Sequence, residues 1–296
     1  MINKKTKLIA IVGPTASGKT ALAIRLAERF NGEIICADSR TIYKGMDIGT
    51  AKPSAEERAR IPHHLLDLIE PNETLSAAEF KRLAEEAIAG ITKCSKVPFL
   101  VGGSGLYAYG VIYDYQFPAG PANNLRSELQ DIELPALVER LQQQDPEAAE
   151  SIDLQNRRRV IRALETIGQP RQKAQRLSPN ILLLGLNPQK EALDTRVTQR
   201  THAMFQIGLI DEVRRLTEQY GVDIESLKSP GYAEIVQYLA GEIDEAEAKR
   251  LIELHTRQLV KRQLTWYRRN PEIQWLDDSD DVESQVAAFL SPINRV

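Results

Sequence analysis

Residues 8–20 constrain this chain more than any other stretch. An apolar run, Leu8–Val12, leads into Gly13-Pro-Thr-Ala-Ser-Gly-Lys19-Thr20, and a helical pattern, Lys19–Phe30, follows. The eight residues match G-x-x-x-x-G-K-[ST] in the strand–turn–helix setting that this P-loop motif requires. Glycines let the backbone wrap an anion, successive N–H groups converge on it, and the helix N-terminus adds partial positive charge. Lys19 brings a full charge, and the Thr20 hydroxyl suits a Mg2+ ion beside a bound phosphate. Chance produces the pattern in roughly one chain in a hundred of this length, so a glycine turn that merely caps a helix is the weaker reading. The motif specifies phosphate without specifying whose.

Such a loop needs a parallel sheet, and the neighbouring pattern supplies one. Glu33–Ala37, His64–Ile69 and Pro98–Val101 read as strands, several bounded by Gly, Pro or Asp. Between them Ser76–Ile91 has helical spacing, with Ala77, Phe80, Leu83, Ala84 and Ala87 on one face. Strand–helix alternation of this kind implies βαβ units. After Tyr115 the character changes. Pro118-Ala-Gly-Pro121 breaks the chain, and residues 122–177 hold helical patterns only, clearest at Leu134–Gln144 and Asn156–Ile167. A strand returns at Ile181–Leu186 and ends at Asn187-Pro188. Helices Glu191–Met204, Leu209–Tyr220 and a long Glu245–Arg269 then precede the acidic segment Asp277–Glu283. The expectation is an α/β fold: a P-loop parallel-sheet core from residues 1–117 and 181–296, with a helical insertion domain at 118–180.

Net charge is −3, so contact with nucleic acid must rest on local clusters of cations. Two exist. Residues 156–176 hold Arg157, Arg158, Arg159, Arg162, Arg171, Lys173 and Arg176 against one acid, Glu165. On the final helix Arg250, Arg257, Lys261 and Arg268 are spaced to share a face. A charge run is usually a solvated face, but two basic patches on an acidic chain read better as phosphate contacts. Only Cys36 and Cys94 occur, with no CxxC pair, which excludes a disulfide framework and fits a reducing compartment. Leu8–Val12 is too short for a signal-peptide core, and no apolar run nears the ~20 residues of a membrane span. A cytoplasmic protein without membrane contact is expected. His63 and His64 with Asp67 hint at a metal, but adjacent strand residues point to opposite faces.

Asp38 follows the second strand. In parallel α/β sheets the C-terminal strand ends face the ligand crevice, which suits a general base or a Mg2+-associated carboxylate. A capping Asp at a turn suits the same residue, and the residues alone leave both open. The longer string Asp38-Ser-Arg-Thr-Ile-Tyr-Lys-Gly-Met-Asp-Ile-Gly-Thr-Ala-Lys-Pro53, with the P-loop, resembles the tRNA dimethylallyltransferase (tRNA isopentenyltransferase) family. Further matches are Pro62-His-His-Leu-Leu-Asp67, Ser76-Ala-Ala-Glu-Phe80, Val101-Gly-Gly-Ser-Gly-Leu-Tyr107 and Asn156-Arg-Arg-Arg-Val-Ile-Arg-Ala-Leu-Glu165. Gly208-Leu-Ile-Asp-Glu-Val-Arg214, Gly231-Tyr232 and Gln258-Leu-Val-Lys-Arg-Gln-Leu-Thr-Trp266 follow in family order, so the resemblance spans residues 7–269. No zinc finger follows, and a bacterial type is expected.

The resemblance implies transfer of a dimethylallyl group from dimethylallyl diphosphate to N6 of adenosine 37, beside the anticodon in tRNA, with release of diphosphate. Gly13, Pro14, Thr15, Ala16, Ser17, Gly18, Lys19 and Thr20 would hold the isoprenoid diphosphate in place of ATP, with Mg2+ at Thr20. Asp38 would take the N6 proton, assistance typically worth ~10²–10⁴-fold. Lys19 and Arg200 would stabilise the leaving group, although Arg200 alone reads as a solvated helix arginine. Ser104 would offer a hydroxyl to the substrate. Contacts to the tRNA anticodon stem-loop would fall to Asp38, Ser39, Arg40, Thr41, Ser104, Arg126, Arg158, Arg159, Val160, Ile161, Arg162, Gly231 and Tyr232, the last two within Lys228–Ala233. The acceptor base must leave its stack to react, and a monomer is expected. Thr41 stands where the family commonly has Gln, Leu75 where it has an aromatic, and Pro230 and Ala233 depart from apolar-Gly-Tyr-Lys/Arg. Three rival readings are an isopentenyltransferase of free adenine nucleotides, a P-loop kinase or ATPase using Asp67, and a non-catalytic RNA-binding module.

Overall fold

The computed structural model describes residues 6–117, 125–169, 176–277 and 280–291. The Pro118–Pro121 break, Arg171 and Lys173 lie outside the described residues. The strands are β1 (Leu8–Val12), β2 (Gly32–Cys36), β3 (His63–His64), β4 (Val97–Gly102), β5 (Ile181–Leu186) and β6 (Gln274–Leu276). They form one sheet in the order β3-β2-β4-β1-β5-β6, parallel at every pairing. Every residue of β1 is buried, as the centre of a sheet covered on both faces requires.

Helices α1 (Lys19–Arg29), α2 (Ala55–Arg60), α3 (Ala77–Lys93) and α4 (Gly105–Ile112) connect the first strands. After β5 come α9 (Lys190–Gln206), α10 (Leu209–Tyr220), a 3₁₀ turn (Glu225–Lys228), α11 (Ala233–Leu239), α12 (Glu245–Tyr267) and α13 (Val282–Leu290). Between β4 and β5 run α5 (Leu125–Gln130), α6 (Leu134–Gln144), α7 (Pro146–Ser151) and α8 (Arg157–Glu165). Strand alternation sorts the core into two layers. Leu8, Ala10 and Val12 meet Phe80, Ala84 and Ile88 of α3 and the buried face of α4. Ile9 and Ile11 meet Ala23, Ile24 and Leu26 of α1 and Val282 and Val286 of α13. A third cluster joins Ile42 and Met46 to α10, α11 and α12. Among the described residues no helix is long and apolar enough to cross a membrane.

The chain divides into two compact units, one of residues 1–115 and 175–296, the other of 116–174. The second has its own core, built from Leu129, Leu137, Leu141, Val160, Ile161 and Leu164. Val160 and Ile161, expected among the RNA contacts, are therefore packed inward, while Arg158 and Arg159 beside them are exposed. Arg126 and Arg162 converge on the buried Glu165 carboxylate at 3.4 and 3.0 Å. Arg157 donates to the Gln130 carbonyl.

One expected strand is much shorter than read. His64–Ile69 contributes only His64 to the sheet, because Leu65 and Asp67 take left-handed φ values of 64° and 54°. Ile69 makes a lone bridge to Tyr43. The acidic segment 277–283 contains a helix start, where the Asp281 carboxylate accepts the Ser284 N–H.

Candidate active site

Three strand ends meet at the crevice. β1 delivers Gly13, β2 delivers Asp38 and β4 delivers Gly103 and Ser104, because β1 and β2 flank β4 in the sheet. The approach leaves no room for side chains. A Cβ on Gly102 would sit 1.9 Å from the Ala37 carbonyl oxygen, and one on Gly13 would sit 2.7 Å from the Leu186 carbonyl oxygen. Gly18, at φ 94°, turns the loop into α1. Lys19 curls back, donating to the Pro14 carbonyl at 2.5 Å, with Ser17 Oγ 3.5 Å away. Burial lowers the Lys19 pKa to about 8; Asp38 opposes that shift and Arg200 adds to it. Thr20 is exposed at the start of α1.

Two cavities open here, and they share a wall. The first, about 440 Å³, is lined by the loop from Thr15 to Thr20 and by Thr41, Lys52, His63 and Val101. The second, about 310 Å³, is lined by Ser39, Arg40, Gly49, Ser104, Lys228, Gly231, Tyr232 and Arg262. Thr15, Asp38, Thr50, Arg200 and Gln263 belong to both. Asp38 Oδ1 accepts the Arg40 N–H at 2.8 Å, so the turn-capping role holds for one oxygen. Oδ2 makes no hydrogen bond among the described residues, leaving one carboxylate oxygen for a ligand.

Arg200 reaches this wall from α9. It donates to Thr15 Oγ1 at 2.8 Å and to the Thr50 carbonyl at 3.3 Å. Burial depresses its pKa, and nearby Asp38 works in the other direction. The guanidinium stays charged nonetheless, as arginine does in proteins. Far from a solvated helix arginine, Arg200 joins the phosphate loop to the second cavity. Ser104 Oγ accepts the Ser39 N–H at 2.9 Å and donates to Ser39 Oγ at 3.2 Å, which fastens the ends of β2 and β4. Thr41, expected on the RNA side, is buried and lines the phosphate cleft only.

Two residues of this site carried no role in the sequence. Gln263 of α12 accepts the Thr15 N–H at 2.8 Å and donates to the Gly103 carbonyl at 3.1 Å, linking the P-loop to the β4 end. Lys52, almost fully buried, donates to the Tyr43 carbonyl at 2.8 Å and to the carboxylates of Asp47 at 2.6 Å and Asp67 at 2.5 Å. Both lie in strings quoted above, but only the fold shows what they touch. His63 Nδ1 bonds the Ile61 carbonyl and His64 Nε2 bonds Glu33, so the two rings serve separate partners. The expected basic stripe on α12 is partly neutralised, with Arg250 paired to Glu247 and Arg257 held by Asp194 and Glu253.

Residues 41–270 match the sequence model of the IPP transferase family. The chain belongs to that family. Among IPP transferases, the tRNA dimethylallyltransferase of Anoxybacillus flavithermus is 46% identical over 285 residues, covering 93% of this chain and 91% of the relative. That of Gloeothece citriformis is 45% identical over 280 residues, 92% of each. Among solved structures, the full-length tRNA isopentenylpyrophosphate transferase of Bacillus halodurans aligns with a TM-score of 0.74 at 39% identity, over 96% of this chain and 97% of that one. A eukaryotic dimethylallyltransferase described as acting on tRNA aligns with a TM-score of 0.81 at 26% identity, over 96% and 78%.

Proposed function

We propose that this IPP transferase moves a dimethylallyl group from dimethylallyl diphosphate to N6 of the adenosine beside the anticodon of tRNA, releasing diphosphate. The observation that carries the reading is the wall shared by two cavities. One cavity offers converging amides and a lysine for a diphosphate, the other offers polar and cationic groups for a nucleotide, and Asp38 faces both. The relatives and structural neighbours, named for this chemistry, support it.

The chemistry follows from the residues. The N6 lone pair is delocalised into the purine ring, so N6 is a weak nucleophile. As it attacks C1 of the donor, the N6–C1 bond forms and the C1–O bond breaks, its electron pair leaving with the diphosphate. Asp38 Oδ2 takes the N6 proton. Lys19, the loop N–H groups and Arg200 meet the charge that collects on the leaving group. The exposed Thr20 hydroxyl lines the same cleft and is the residue that would hold Mg2+. No group of three His, Cys, Asp or Glu suited to a metal occurs among the described residues, so such an ion would draw most ligands from phosphate oxygens and water, as Mg2+ commonly does. Bound there, it would supply further charge neutralisation for the diphosphate.

Asp67 is committed to Lys52 and approached by Arg58, which weighs against the kinase or ATPase reading that needs it as a free acid. The enzyme is proposed to act as a monomer on tRNA in the cytoplasm. The tRNA is engaged through its anticodon stem-loop, with the exposed Arg158 and Arg159 as phosphate contacts. The test incubates the protein with radiolabelled dimethylallyl diphosphate, Mg2+ and either unmodified tRNA or free AMP. Label in tRNA alone is expected. Label in AMP moves the enzyme to free nucleotides, and label in neither refutes prenyl transfer.

A further inference from the structure

Glu212 lies on α10 after the exposed Asp211, yet only 1% of its surface is accessible. A buried carboxylate is costly unless its oxygens are fully hydrogen-bonded, and here they are. Oε2 accepts the N–H groups of Asp47 at 2.9 Å and Ile48 at 2.8 Å. Oε1 accepts the Gly49 N–H at 3.0 Å and the Tyr232 hydroxyl at 2.7 Å. Three successive amides thus point at one carboxylate, the arrangement by which backbone binds an anion. Burial, with Glu212 adding to it, raises the Tyr232 pKa well above the ordinary phenol range, so its hydroxyl remains a donor.

What these four bonds fix is the second cavity. Gly49 and Tyr232 line it, and they touch: a Cβ on Gly49 would lie 2.4 Å from the Tyr232 ring. The next residue, Thr50, lines both cavities and gives its carbonyl to Arg200. Glu212 itself lines neither cavity. We infer that Glu212 is the positioning residue of the acceptor cavity, fixing one wall through the 47–49 amides and another through Tyr232. The inference rests on the transfer reading above. It goes beyond that reading by assigning acceptor geometry to a residue that touches no substrate.

A purely structural carboxylate would tie α10 to the loop and affect only the amount of folded protein. The two roles part in Glu212→Gln. A glutamine has one acceptor oxygen, so its NH₂ group must face one of the two donor pairs. Steady-state kinetics with an anticodon stem-loop, calorimetry with inorganic diphosphate and a thermal melt separate the outcomes. We expect the stem-loop KM to rise about tenfold or more and kcat to fall, while the Kd for inorganic diphosphate moves less than about threefold. Tyr232→Phe should give the same split on a smaller scale, and the double variant should be non-additive. A Glu212→Gln protein with a lower Tm, lower kcat and unchanged stem-loop KM overturns the inference, as does one indistinguishable from wild type. Should Glu212→Gln fail to fold, Tyr232→Phe decides, and an unchanged stem-loop KM there overturns it. A wild-type enzyme that modifies no stem-loop refutes the transfer reading, and this inference with it.

Discussion

The two cavities that meet at Asp38 are built by opposite means. The donor cleft is anchored on one local stretch, the consecutive residues from Thr15 to Thr20, turned by glycine and seated on the N-terminus of α1. The acceptor cavity is mainly side chain and loop, drawn from the end of β2, residues 49–50, α9, residues 228–232 and α12. A backbone cradle needs only the right local turn and tolerates little substitution. A cavity assembled from distant elements depends on ties such as Glu212 and Gln263, each holding more than one partner. The two halves should therefore fail differently when perturbed, and mutations can show whether they are as separate as the geometry indicates.

The largest effect should come at the shared wall. Asp38→Ala should lower turnover about 10²–10⁴-fold and leave donor binding unchanged or slightly tighter, since a negative charge beside Lys19 and Arg200 is lost. Near-normal turnover would remove Asp38 from the base role. Next, Lys19→Ala should weaken diphosphate binding about 10–100-fold, the scale of a charge-assisted hydrogen bond, with little change in stem-loop affinity. If calorimetry finds diphosphate bound as before, the donor assignment is wrong.

Acidity sharpens the same contrast. With a Lys19 pKa of about 8 in the free enzyme, the ammonium is charged below that pH and neutral above it. Donor affinity should fall as pH rises through 8, approaching about tenfold per unit, and stem-loop affinity should lack that slope. Lys19→Ala should flatten the profile, and a surviving slope would point to another group. The smallest effect is expected from Gly49→Ala, whose new methyl must displace the Tyr232 ring. Stem-loop KM should rise about fivefold with diphosphate binding intact, and an equal loss of both would mean the cavities are mechanically coupled.

The same contrast explains what could be read from the residues. Ile181–Leu186, Leu134–Gln144 and Leu209–Tyr220 form the elements their spacing implied, to the residue, because each is bounded by turn or capping chemistry that acts locally. The P-loop was legible for the same reason. Residues 65–69 were not: Asp67 bonds Lys52, a contact fifteen residues away in sequence, and the chain leaves the sheet with left-handed turns. Gln263 lies 248 residues from Thr15, and Glu212 lies 164 from Ile48. Neither residue type nor spacing announces such partners. The α12 arginines show the converse, since their even spacing suggested an RNA stripe while acids on α9 and α12 itself hold Arg257.

The central claim is that donor and acceptor occupy separate cavities at once, on either side of Asp38. Initial velocities measured over a grid of dimethylallyl diphosphate and anticodon stem-loop concentrations test it directly. Intersecting reciprocal plots, the mark of a complex holding both substrates, are predicted. Parallel plots would mean that the prenyl group passes through a covalent enzyme intermediate before the acceptor binds, and would contradict the account.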